Sequence, residues 1–259
     1  MEIRRALGVA LKIKCTKNAM PGGLVNDGIS RILKLTKNEK NLIVRVVNVF
    51  ETGKPEGNYG MLVVMKDGPN KIPQITYGRS QTTEYGLLRD LVQRYVAADS
   101  AFSAALAPFA NEVGSKPLTY NMAFRDLLRR AGREDPVMQR VQDQFFDERY
   151  FKPAMQWADQ QKFTLPLSAL VIYDSFVHSG DILWLLRSKF AENPPSLGGD
   201  EKAWIKAYTN TRNNWLANHP NKLLHKTIYR TKCFKREIGH DNWSLSKAPI
   251  KANGVNVTA

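Results

Sequence analysis

The sequence predicts an α+β fold that is mainly helical, with one small antiparallel hairpin, in two lobes. Three observations carry this. Apolar residues recur at helical spacing in most segments between Pro and Gly breaks. One stretch, residues 59–77, instead has two apolar runs with turn chemistry between them. No internal repeat or low-complexity tract interrupts the 259 residues, a length that can bury a sizeable core.

Residues 1–23 alternate basic and apolar positions up to Pro21-Gly22-Gly23 and read as an N-terminal arm. The remainder, 24–259, reads as one domain with lobes at about 24–98 and 119–240. Leu24, Val25, Ile29, Ile32 and Leu33 predict a short first helix over 24–35. Leu42, Ile43, Val46, Val47 and Phe50 predict the next, opened by a capping box of Thr36 and Glu39 and closed by Gly53 and Pro55. Glu51 then sits just past the buried stripe. Tyr59–Met65 and Ile72–Tyr77 form the hairpin around Asp67-Gly68-Pro69-Asn70.

Thr82 or Thr83 is expected to cap a helix with Leu87, Leu88, Leu91, Val92 and Tyr95 on one face. Residues 97–118 read as a connector. Thr119 caps a helix running to Ala131 and stopped by Gly132; Asp135-Pro136 opens another, broken or kinked at Pro153. Residues 165–180 form the buried helix of the second half. There Leu167, Leu170 and Val171 lie one turn behind Asp174 on the same face, which carries Asp174 inward and obliges it to find partners. Arg212, on a packed face with Trp204, Tyr208 and Trp215, and Arg230, inside the apolar run TIYRTKCF, are the candidates. Residues 242–257 read as a terminal strand or strap.

Composition excludes several classes. No run of about 18 apolar residues is present, so no transmembrane helix is expected. The opening MEIRRALGVALKIKC is interrupted by Lys12 and Lys14 and has no small-residue cleavage site, so no signal peptide is recognised. Cys15 and Cys233 permit one disulfide and establish none; free, buried thiols are expected. Four His and two Cys without an HExxH or CxxC cluster argue against a metal site, and no cofactor is expected. Asp174, His178 and Ser179 are the residue types of a hydrolase triad, but consecutive Ser and His diverge on a helix and no GxSxG elbow exists. The net charge of +14 favours anionic partners such as teichoic acid, the bacterial envelope or nucleic acid. No nucleic-acid recognition motif accompanies the basic residues 222–235, so nucleic acid is the less favoured of these.

A carboxyl at a helix end and another on a sheet suit glycosidic hydrolysis, in which one group protonates the leaving oxygen and the other activates water. Glu51, among apolar neighbours, is the acid candidate; Asp67, in a polar turn, is the group expected to stay ionised. The order helix-Glu-loop-strand-Asp-Gly-strand resembles the active-site layout of the lysozyme superfamily. The wording VFETGKPEGNYG…DG…ITYGRSQTTE, followed by GLLRDLVQRY, resembles the chitosanases of glycoside hydrolase family 46.

That resemblance implies a lysozyme-like two-lobed fold with the hairpin beside the active-site cleft. It implies endo-acting, inverting cleavage of β-1,4 links in an amino-sugar polymer. It makes Glu51 the general acid, Asp67 the general base and Thr76 the residue that helps hold the attacking water. Tyr173-Asp174 with His178, then Arg212 and Arg230, match a set that orients the acid from behind. Tyr59, Tyr77 and Arg79, in the hairpin, are the saccharide-contact candidates, and Arg79 also suits a muramyl lactate or peptide carboxylate. The resemblance favours chitosan, whereas the positive charge favours peptidoglycan, as for a phage lysin or antibacterial effector. An inactive module binding cell wall or nucleic acid on the same fold is the third reading. The chain is expected to act as a monomer outside the cytoplasm that makes it.

Overall fold

Helix α1 spans Lys37–Thr52 in the computed structural model, which describes residues 33–79 and 81–259. The capping box forms as its sequence requires: the Glu39 N–H donates to Thr36 Oγ1, and the Thr36 N–H donates to Glu39 Oε2 at 2.7 Å. Gly53 ends the helix with φ 77°, a left-handed conformation that returns its N–H to the Val49 carbonyl. Ile43, Val46 and Val47 are fully buried. The N-terminal arm, Cys15 and residues 24–32 of the expected first helix lie outside the described residues; residues 33–36 carry no helix.

The chain divides into two compact units, the first including residues 33–55 and 150–259 and the second residues 56–149. A division at 24–98 and 119–240 would have kept α1 and the hairpin together; the contacts put them in different units. The reason is that residues 150–259 supply the helices that cover α1, while the hairpin packs on the helices that follow it.

In the second unit β1 (Leu62–Lys66) and β2 (Pro73–Tyr77) pair antiparallel, with Val64 opposite Ile75. Asn70 turns the chain with φ 51°. Thr82 and Thr83, expected to cap a helix, instead form β3, with Thr83 opposite Thr76. The next residue explains this. Glu84 is 1% exposed, and its carboxylate accepts the Ile75 N–H at 3.1 Å, the Leu118 N–H at 2.5 Å and the Thr119 hydroxyl at 2.7 Å. Those bonds draw the threonines against β2, and helix α2 (Leu88–Ala97) starts later. They also hold Thr119, so Asn121 rather than Thr119 caps α4 (Met122–Glu134), its Oδ1 accepting the Phe124 N–H. The connector expected over 97–118 contains a helix of its own, α3 (Ser103–Ala110). Gly132 lies inside α4 instead of ending it. A β-carbon there would come within 2.3 Å of the Tyr59 carbonyl oxygen and 2.7 Å of the Tyr77 hydroxyl, so glycine is required by close approach. Asp135 caps α5 (Pro136–Phe146), and a π turn over Asp147–Phe151 leads into α6 (Lys152–Gln160), with Pro153 in its first turn.

In the first unit α7 (Pro166–Ser179) is buried from Pro166 to His178 and ends at Gly180. Helix α8 (Trp184–Arg187) is a single turn; α9 (Glu201–Asn218), the short α10 (Lys222–His225) and α11 (Ile228–Gly239) follow, and a hairpin of β4 (Ile250–Ala252) and β5 (Val255–Val257) closes the chain. Cys233 is a free, buried thiol whose pKa burial pushes up to about 12. Among the described residues no helix is long and apolar enough to cross a membrane. The result is a mainly helical protein with minor β content, in two compact units.

Two outcomes are expected. Gly132→Ala should destabilise the protein by about 1–3 kcal/mol through overpacking, read as a lower urea midpoint with an unchanged slope. The second concerns Asp135. Burial alone would raise its carboxyl pKa, but the Tyr95 hydroxyl at 2.5 Å and the Val137 N–H at 2.8 Å outweigh burial and hold it below the ordinary 3.8. A carboxyl with a lowered folded pKa stabilises above the ordinary value and loses that contribution as pH falls through the folded one. Asp135→Asn should therefore flatten the acid limb of stability against pH, measured by urea unfolding below about pH 5.

Candidate active site

In the first unit four charged side chains form a chain. Asp174 is 0% exposed, carried inward on α7 behind Leu167, Leu170 and Val171. Its Oδ1 accepts from Arg230 at 2.6 Å and its Oδ2 from Arg212 at 2.8 Å. Arg230 extends its second amino group to Glu51 Oε1 at 2.5 Å and to the Phe50 carbonyl at 3.3 Å. The Glu51 side chain is 5% exposed at the last turn of α1. Glu51, Asp174, Arg212 and Arg230, separated widely in sequence, are thus joined without a break.

The surroundings fix each member. Arg212 donates to Ser175 Oγ at 3.2 Å and meets His178 Nδ1 at 2.9 Å. Because guanidinium only donates, Nδ1 is the acceptor of that pair. Tyr208 donates to Ser175 Oγ at 3.0 Å, and Ser175 returns to the Val171 carbonyl at 2.8 Å. The Arg230 guanidinium lies 5.4 Å from the Phe50 ring centre and 5.7 Å from that of Tyr229, whose hydroxyl donates to the Phe50 carbonyl at 2.7 Å. Burial opposes the charge on Arg230, but the Asp174 and Glu51 carboxylates outweigh it and keep its pKa above the ordinary value. His178, which the sequence pattern groups with Asp174 and Arg212, stands one turn after Asp174 on α7 and meets that arginine.

The hairpin residues belong to the second unit. Asp67 follows β1, and its N–H donates to the Met65 carbonyl at 2.9 Å. Thr76 stands in β2 between Val63 and Thr83, 5% exposed, and its buried Oγ1 has no hydrogen-bond partner among the described residues. Two saccharide-contact expectations are corrected. Tyr77 is fully buried, donating to the Leu128 carbonyl at 2.6 Å and accepting from Gln142 at 3.3 Å, so it is core. Strand alternation could have shown this, since Tyr77 shares a face with the buried Ile75. Arg79 is 4% exposed, paired with Asp143 at 2.8 Å and laid over the Phe146 ring at 4.6 Å, which leaves it closed to a ligand. Tyr59 is half-buried, and its hydroxyl donates to the same Asp143 at 2.9 Å. Burial, reinforced by Asp143, pushes its pKa up to about 12. Asp143, 84 residues from Tyr59 and 64 from Arg79, was not found by sequence reasoning and organises both. Among the described residues no group of three or more His, Cys, Asp or Glu is placed to hold a metal.

The family model described as Glycosyl hydrolase family 46 matches residues 45–250. The chain is 26% identical over 201 residues to a chitosanase of Bacillus subtilis (strain 168), covering 72% of this chain and 70% of that protein. It is similar in structure to native chitosanase from Bacillus subtilis MY002, with a TM-score of 0.71, 21% identity, and 87% of this chain and 100% of that one covered. A Gynuella sunshinyii GH46 chitosanase in complex with chitotetraose gives a TM-score of 0.68 and 25% identity over 86% of this chain and 98% of that one.

Asp174→Asn is expected to cost about 3–5 kcal/mol, because it leaves Arg212 and Arg230 buried without their carboxylate. Chemical unfolding of the parent and variant at pH 7 checks this, and a loss under about 1 kcal/mol would contradict the network's role.

Proposed function

The chain belongs to glycosyl hydrolase family 46, an endo-acting glycoside hydrolase of β-1,4 links in an amino-sugar polymer, and we propose that this polymer is chitosan. The observation that carries the catalytic assignment is the anchoring of Glu51. A general acid must hold its carboxyl group at a fixed place relative to the leaving oxygen, since misplacement of about 1 Å costs rate steeply. Arg230 fixes Glu51 Oε1, and Asp174 with Arg212 fixes Arg230. In this reading Glu51 protonates the leaving oxygen and Asp67 is the base that activates water. Thr76 supplies a hydroxyl that directs that water, a role supported by its buried and unpartnered Oγ1. Asp174, Arg212 and Arg230 position the acid. Tyr59 is the remaining saccharide-contact candidate of the hairpin.

The net charge of +14 is the one observation that favours an anionic wall polymer, and it is a property of the whole surface rather than of the substrate subsites. The named relatives favour chitosan. A polymer of that size is met outside the cytoplasm, and the enzyme acts there as a monomer.

Time courses on chitosan and on purified peptidoglycan, with products read by mass spectrometry, test the assignment. The parent should release glucosamine oligomers from chitosan. Glu51→Gln and Asp67→Asn should each lower the rate by about 10²–10⁴-fold while keeping the fold, as loss of a general acid or base does. Muropeptides from the wall with no chitosan products would sink the substrate reading. Inversion predicts that the first-formed reducing ends are the α anomer, which proton NMR of early products resolves.

A further inference from the structure

Away from the carboxyl network, a groove of about 410 Å³ opens along the C-terminal half of α9, in the same unit as Glu51. Lys189, Thr211, Asn214, Trp215, Asn218 and His219 line it. Helical spacing sets Thr211, Asn214, Trp215 and Asn218 in one stripe, and the volume lies within the range of small-molecule sites, about 300–1,000 Å³.

The groove is built rather than incidental. Trp215 packs against the cluster of Leu216 and Leu224, and the His219 ring meets the indole edge-on, centres 4.9 Å apart at 73°. His219 is itself oriented, its Nδ1 accepting the Asn221 N–H at 3.0 Å. The indole is therefore held in place before any ligand arrives. Asn218 Nδ2 donates to the Asn214 carbonyl at 2.8 Å, which fixes that amide. By contrast, the side chains of Lys189, Thr211 and Asn214 have no hydrogen-bond or ion-pair partner among the described residues.

A fixed indole ringed by amide, hydroxyl and ammonium groups suits a pyranose, whose apolar face lies on the ring while its polar substituents meet the rim. The lining has no carboxylate. A glucosamine ammonium would meet Lys189 and no anion, losing hydration without a counter-charge. An N-acetylated unit is neutral, and its acetamide both donates and accepts, as the Asn214 and Asn218 amides do.

We propose that this groove binds N-acetylglucosamine units, the acetylated stretches of the polymer that the active site cuts. The identity of that polymer rests on the proposed function; the groove's preference for a neutral acetylated sugar rests on its own lining.

Calorimetric titration of the full chain with the acetylated trimer of N-acetylglucosamine and with the fully deacetylated trimer tests this. The acetylated trimer should bind, and Trp215→Ala should weaken it about tenfold, the worth of one aromatic stacking contact. Lys189→Glu, which adds an anion, should raise affinity for the deacetylated trimer. Chitosan hydrolysis by Trp215→Ala should match the parent. Because Trp215 also packs on a leucine cluster, Asn214→Ala, at an exposed position, carries the same test without risk to folding. Equal affinity of the acetylated trimer for the parent, Trp215→Ala and Asn214→Ala would overturn the proposal, as would no binding to the parent. Failure of the parent to cut chitosan would instead sink the substrate reading, and the trimer titration would still decide the groove.

Discussion

One buried carboxylate organises the first unit. Asp174 is shut away from solvent, so its charge and both its oxygens must be satisfied by other side chains. Arg212 and Arg230 take one oxygen each. Two buried cations against one anion leave an excess of positive charge, and Glu51 completes the alternation. The Glu51 carboxyl therefore belongs to an electrostatic chain that folding must assemble anyway, and its position follows from satisfying Asp174. Such a network adds little net stability compared with an apolar core of the same shape. What it contributes is a defined place for the Glu51 carboxyl, at the end of a helix whose other turns are locked by Ile43, Val46 and Val47.

The second unit shows the same economy with different residues. Glu84 gathers β2, β3 and the segment before α4 through three hydrogen bonds, and Asp143 gathers Tyr59 and Arg79. These two carboxylates convert polar side chains of the hairpin region into structure. Asp143 thereby holds Arg79 in a buried ion pair, the Leu128 carbonyl and Gln142 hold Tyr77 in the core, and Thr76 keeps a hydroxyl with no partner among the described residues. In a strand otherwise bonded, that hydroxyl is the polar atom for which packing gives no use.

The groove on α9 and the network behind Glu51 use the same helix on different faces. Arg212 turns inward to Asp174, and Asn214, Trp215 and Asn218 turn to the groove. Their chemistry differs accordingly. One face is buried and charged, its carboxylates and guanidiniums joined in ion pairs; the other is partly exposed, carries the Lys189 ammonium, and holds polar side chains without partners among the described residues.

The sequence by itself determined whatever depends on neighbours in the chain. The period of Leu42 to Phe50 and the Thr36–Glu39 box made α1, so Glu51 had to stand at its end. Asp135-Pro136 started α5, Gly180 ended α7, and Asp174 could be seen to point inward because its apolar neighbours lie one turn away. Arg212 and Arg230 were legible as its partners, since a buried anion requires cations and few cations sit in apolar surroundings. Tertiary structure decided the rest. Thr82, Thr119 and Gly132 each carried a strong local signal, and each was overruled by a contact distant in sequence: the Glu84 carboxylate for both threonines, and the close approach of the Tyr59 carbonyl for the glycine. Arg79 read as an exposed contact because nothing near it in the chain reveals Asp143, which pairs with it; for Tyr77 the strand alternation with Ile75 pointed inward, but its partner Leu128 lies far along the chain. Local sequence sets the backbone's preferences; which polar groups are consumed by folding and which are left for chemistry depends on partners that only the folded chain brings near.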